Sequence, residues 1–224
     1  NKIKTDGITF SHVIEDIESL NGRAMRGELE VTALSFHAYA HVSDRYALLT
    51  AGSSLGFGYG PIVVSKKPLL SSGLRGKKIA VPGSLTTAAL LLKLYEPDFV
   101  PDYAPFHEIL DRVAKGSSDA GLLIHEGQLT YARAKLAKVV DLGEWWQEKT
   151  GLPLPLGADA VRKDLPQEAK RRLSGILRES IAYGLGHRDE ALAYAQDFAR
   201  GLDSNLTDEF VGMYVNESTL DLDS

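Results

Sequence analysis

The chain has 224 residues, 44% of them hydrophobic and 25% charged, which is ordinary for a soluble globular protein with one large core or two smaller ones. A net charge of −5 with no basic block argues against a nucleic-acid partner, and no apolar run nears the ~20 residues of a membrane span. Cysteine is absent, which excludes disulfides and thiolate metal sites.

Ile3, Ile8 and Phe10 read as a short opening edge strand. Ser11 is placed to cap a helix with apolar positions Val13, Ile14, Ile17 and Leu20, ending near Gly22 or at Gly27. Glu30–Leu34 reads as a strand and Phe36–Val42 as a helix, so Ser35 stands at a strand-to-helix turn. Two roles are open to it: plain N-capping, or a place in an anion site built on free backbone N–H groups. Tyr46–Leu49 is the next strand. The loop from Gly52 to Pro61 carries four glycines but runs into the strand Pro61–Val64, not into a helix. That order rejects the dinucleotide and P-loop readings and leaves either close approach to a ligand or tight turning.

A polar connector, 65–73, leads to the strand Ile79–Val81 and, through Pro82 and Gly83, to a helix from Ala88 to Tyr95. Thr86 and Thr87 fall at its start, where hydroxyls and amides together suit a carboxylate; the bland alternative is one capping threonine and one facing solvent. Pro105 starts a helix with Phe106, Ile109, Leu110 and Val113 on one face. Leu122-Leu123-Ile124 is too short for a helix and reads as a buried parallel strand, with His125 and Glu126 at its carboxyl end. Ligands of open α/β sheets collect there, and an imidazole titrates near neutrality, so His125 is the candidate proton acceptor; the alternative is a histidine that merely caps the strand. Gln128–Ala137 reads as a helix, Val139–Leu142 as a strand, and Trp145 and Trp146 as core or cleft wall on the helix that follows. A proline-spaced crossing, 151–157, leads to the strand Ala158–Val161. Helices then start at Pro166 and cover about 188–200 and 207–220.

The strand near Val64 leads out and the one near Leu156 leads back. This predicts an α/β protein of two lobes, 1–64 with 156–224 and 65–155, and a cleft between them that closes about a hinge.

The runs Leu29–Tyr39, Gly52–Pro61, Val81-Pro82-Gly83 with Thr86-Thr87-Ala88, Leu123-Ile124-His125-Glu126 and Val140–Trp146 resemble the 1,4-dihydroxy-6-naphthoate synthase family of the futalosine route to menaquinone. The resemblance spans nearly the whole chain. It implies a fold similar to type II periplasmic binding proteins and a lyase that converts cyclic dehypoxanthine futalosine to 1,4-dihydroxy-6-naphthoate. It further implies His125 as proton acceptor, with Thr86, Thr87 and the segment Ala33-Leu34-Ser35 holding substrate. No metal or organic cofactor is expected; the expected partner is a small-molecule carboxylate rather than a nucleic acid or a membrane. A homodimer stays open, and the expected compartment is the cytoplasm. That family opens with a strand and a Pro-Cys-Pro-Asn-Asp-type loop, so a segment preceding Asn1 is expected. Ala33 stands where the family often has lysine, which leaves only main-chain binding there. The alternatives are the sister chorismate dehydratase, which typically lacks a histidine at this strand end, and a non-catalytic solute-binding protein.

Overall fold

Asp16, rather than Ser11, starts the first helix in this computed structural model, which describes residues 2–5, 7–197 and 203–221. Its carboxylate accepts from the amides of Glu18 at 3.0 Å and Ser19 at 3.1 Å, satisfying donors that a helix N-terminus leaves over. Val13 and Ile14, expected in the first turn, are exposed and lie outside it. None of the described residues before Ile17 forms a strand, so the opening edge strand is not made. The order of elements is α1 (Ile17–Arg26), β1 (Val31–Ser35), α2 (Phe36–Val42), β2 (Tyr46–Leu48), β3 (Ser54–Gly56), β4 (Ile62–Ser65), β5 (Lys78–Val81), α3 (Thr87–Tyr95) and β6 (Val100–Tyr103). There follow α4 (Ile109–Lys115), β7 (Ala120–Leu123), α5 (Gly127–Thr130), β8 (Ala137–Asp141), α6 (Leu142–Thr150), β9 (Leu154–Arg162), α7 (Gln167–Gly186), α8 (Arg188–Gln196), α9 (Ser204–Tyr214) and α10 (Glu217–Leu220).

The chain divides into two units, Asn1–Leu55 with Gly157–Ser224, and Gly56–Leu156. The first contains an antiparallel sheet in the order β1-β9-β2, with β3 also on β9. Strand alternation sends Leu34 and Ala160 into a core shared with Ala24, Val42 and Tyr46. Four helices, α7 to α10, complete the described part of this unit. Of the helix expected over 188–200, the described part ends at Gln196, and residues 198–200 lie outside the described residues. The last expected helix is two: α9 opens at Ser204 behind Asp203, and Asn216 caps α10.

The second unit holds a mixed five-stranded sheet, β6-β5-β7-β4-β8. β6, β5 and β7 are parallel, whereas β4 runs antiparallel to both β7 and β8, so the strand before His125 is parallel to only one of its neighbours. The first crossing between units falls at Leu55–Gly56, earlier than the expected break after Val64, because β4 is a central strand of this second sheet. Every residue of β4 is buried, since helices cover both faces. Val63, Ile79 and Leu122 pack with Leu92 and Leu142, while Ile62, Ala80 and Leu123 pack with Ile109 and Val113 on the other face. The expected helix 128–137 is a single turn, α5; Lys135 then takes φ +56°, Leu136 is buried, and Ala137 opens β8.

Gly121 sits where α4 presses on β7. A Cβ there would lie 2.6 Å from Ile109 Cγ2 and 2.7 Å from Val113 Cγ2. We predict that Gly121→Ala destabilises the protein by about 1–3 kcal/mol through overpacking, measured as a lower urea midpoint; an unchanged midpoint would contradict this packing.

Candidate active site

Three parallel strands end at one edge of the second unit's sheet. Val81 is level with Tyr103, and Ala80 with Gly121, so β6, β5 and β7 release the chain side by side, about 4.8 Å apart. From β6 the chain passes Ala104 and Pro105 to Phe106; from β5 it passes Pro82 and Gly83 to Thr86; from β7 it passes Ile124 to His125. This is the edge at which open α/β sheets bind ligands. His125 has φ +56°, a left-handed conformation that costs an ordinary residue about 1–2 kcal/mol and is enriched in histidine, asparagine and aspartate. Its carbonyl accepts from Gln128 N at 3.1 Å, which starts the turn into α5. The imidazole is half-buried, and the Phe106 ring meets it edge to face, with centroids 4.8 Å apart and planes at 68°. Such contacts are worth about 0.5–1.5 kcal/mol and fix ring orientation.

Thr86 is the N-cap of α3. Its hydroxyl accepts from Ala89 N and donates to Gly83 O, both at 3.1 Å. The Thr87 hydroxyl donates to Leu156 O at 2.8 Å. Both side chains are buried. A hydroxyl has one proton, so these two order the turn, and the N–H donors of an anion receptor here have to come from the main chain.

In the first unit, Ser35 ends β1 and caps α2, its hydroxyl accepting from Ala38 N at 3.1 Å. Its own amide donates to Asn21 Oδ1 at 2.9 Å. Asn21 is fully buried, and its Nδ2 has no hydrogen-bond partner among the described residues. Leu34 points into the core, so it offers a ligand main chain only, as does Ala33. Asp159 of β9 pairs with Ala33. Its carboxyl lies against Gly52, where an added Cβ would fall 2.2 Å from Oδ2. Burial pushes the Asp159 carboxyl up to about 6.

The sequence matches the family described as menaquinone biosynthesis over residues 2–224. It is 48% identical over 215 residues to the 1,4-dihydroxy-6-naphthoate synthase of Thermus thermophilus, covering 96% of this chain and 78% of that protein. The chain belongs to this family. The crystal structure of protein AF1704 from Archaeoglobus fulgidus matches with a TM-score of 0.91 at 51% identity, covering 95% of this chain and 79% of that one. The alkanesulfonate-binding protein SsuA from Xanthomonas axonopodis pv. citri, bound to MOPS, matches with a TM-score of 0.64 at 16% identity, over 88% of this chain and 71% of that one. That likeness is one of fold alone, and the fold is the two-lobe α/β type of periplasmic binding proteins implied by the sequence.

Sequence reasoning on this member of the naphthoate synthase family did not single out Asn21, Phe106 or Asp159, which the structure places beside the candidate residues. Asn21 had a signal, a polar residue on the helical period of Ile17 and Ala24. Phe106 reads as core, and Asp159, between two core alanines, reads as an ordinary outward residue. A groove of about 650 Å³ on the first unit is lined by Arg26, Arg45, Arg162, Lys163, Asp44 and Asp164. Its cations are already engaged, Arg45 with Met25 O at 2.8 Å, Arg162 with Asp164 at 2.9 Å and Lys163 with Ser43 O at 2.6 Å, which makes it a self-satisfied charged surface.

The raised Asp159 carboxyl sets a pH dependence. Between about pH 4 and 6 the folded protein keeps a proton that the unfolded chain has released, so this group's contribution to stability falls as pH rises through that window and is level above it. We predict that wild type gains stability relative to Asp159→Asn on acidification from about pH 7 to about pH 5. Urea midpoints at the two pH values measure this; a gap that does not move with pH would contradict the burial of the carboxyl.

Proposed function

We propose that this protein converts cyclic dehypoxanthine futalosine to 1,4-dihydroxy-6-naphthoate in menaquinone biosynthesis, with His125 as general base. The observation that carries the reading is the half-buried imidazole at the shared carboxyl edge of β6, β5 and β7, one strand away from the start of α3. A neutral imidazole nitrogen can accept a proton, and the left-handed backbone at His125 turns the chain out of the buried line of β7. Loss of the proton sets off fragmentation of the cyclic compound, and formation of the aromatic naphthalene ring draws the reaction forward. The substrate carboxylate is held at the positive end of α3, in a turn that Thr86 and Thr87 shape. Main-chain groups of Ala33, Leu34 and Ser35 supply further substrate contacts. Hydrogen-bond donors fixed in place stabilise the negative charge that develops. The enzyme acts on a small-molecule carboxylate, and its compartment is the cytoplasm.

The protein incubated with cyclic dehypoxanthine futalosine is expected to yield the naphthoate by mass spectrometry; binding without product would favour a solute-binding role instead. His125→Ala is expected to lower kcat by about 10²–10⁴-fold, while the substrate Kd stays within about an order of magnitude, because a base acts mainly in the transition state. Undiminished turnover in that variant would remove His125 from the chemistry.

A further inference from the structure

Asp159 is a half-buried titratable group that the mechanism above does not use. Its main chain is fixed on both sides: Ala33 of β1 is its register partner, and its carbonyl accepts from Leu49 N at 2.9 Å. Its side chain lies on the sheet face opposite Leu34 and Ala160, away from the core that those residues share with Tyr46. Leu49 and Val161 beside it are buried and apolar. Against the carboxyl stands Gly52, at φ +92°, and any larger residue there would occupy the carboxylate's place. Gly52 is itself tied down, its amide donating to Thr219 O at 2.8 Å. No hydrogen bond or ion pair from another described residue reaches the carboxylate, and the residue is half-buried. A half-buried carboxylate among apolar neighbours, with no donor from the described residues, is partly desolvated, and a hydroxyl-bearing ligand beside it would supply the missing hydrogen bonds.

We propose that Asp159 recognises hydroxyl groups, its carboxylate accepting hydrogen bonds from the hydroxyls of the substrate beside Gly52 and Ala33. The inference rests on the function proposed above, whose product carries two hydroxyls and one carboxylate and no amine, so hydroxyls are the donors available. The same charge repels the substrate's own carboxylate. Asp159 thereby also selects which end of the molecule enters, a repulsive element working beside an attractive one. Asp159 is a specificity residue in this scheme, separate from the proton transfer.

The test compares wild type, Asp159→Asn and Asp159→Ala in KM and kcat for cyclic dehypoxanthine futalosine and in thermal unfolding midpoint. Removing a charged acceptor should raise KM by about tenfold or more in Asp159→Ala. The rise should be smaller in Asp159→Asn, whose amide oxygen still accepts. In both variants kcat should stay within a few-fold, and the midpoint should be equal to wild type or higher, since an unpaired carboxylate has been removed. A KM in Asp159→Ala within about twofold of wild type would overturn the proposal. So would a midpoint that falls in both variants, which would make the carboxylate a structural element. Absence of turnover by wild type would instead defeat the functional reading. In that case, calorimetry with 1,4-dihydroxy-6-naphthoate and with the naphthoate lacking both hydroxyls still decides on Asp159. A hydroxyl preference present in wild type and lost in Asp159→Ala supports it; equal binding of the two compounds by wild type, or no binding of either, overturns it.

Discussion

The left-handed turn at His125 is the constraint from which the site follows. β7 is buried along its length and locked between β5 and β4, so its direction is not free. Continuing the strand would keep the alternation of its side chains between the two covered faces of the sheet. A single residue at φ +56° breaks that alternation and leaves the imidazole half-buried at the edge. The strain, about 1–2 kcal/mol, is tolerated because the surrounding structure over-determines the position: the strand ladder before it, the Gln128-to-His125 hydrogen bond after it, and the Phe106 ring beside it.

The rest of the second unit serves to hold that edge. Parallel pairing of β6, β5 and β7 brings three chain exits together, and α4 packs so tightly on β7 that only glycine fits at position 121. Thr86 and Thr87 contribute by ordering main chain: one hydroxyl closes the turn after Gly83, and the other ties the start of α3 to Leu156, the last residue before the chain leaves the unit. In the first unit the same logic recurs with different parts. Asn21 reaches from α1 to hold the amide of Ser35, and Gly52 leaves space for Asp159. Both units therefore place polar groups by means of rigid strand ends and caps, which is how precise positioning is obtained without long flexible side chains.

Much of this was legible in the sequence, and the failures have physical causes. The apolar runs of β4, β5 and β7 were readable because strands covered on both faces carry little else, and His125 was readable because it follows such a run directly. Which sheet β4 joins was not readable, since residues buried on both faces carry no mark of their partners. Ser11 and Asp16 are both good capping residues; the helix starts at the second, and Val13 and Ile14 before it stay exposed. Lys135 gives no local sign that it turns left-handed, so a helix was expected where the chain doubles into β8. The positions of Thr86 and Thr87 were foreseen, but not that their protons go to main-chain carbonyls. Asp159 was invisible for a different reason: its surroundings are made by Gly52, more than a hundred residues away, and no local pattern encodes that approach.

In the proposed reaction the imidazole of residue 125 itself moves the proton. His125→Gly tests it most directly, because glycine adopts the left-handed backbone without strain and leaves the ring's volume empty. This variant is expected to be inactive in plain buffer, and added imidazole is expected to restore naphthoate formation in proportion to its concentration. Activity without imidazole, or none at any imidazole concentration in a variant that still binds substrate, would contradict it.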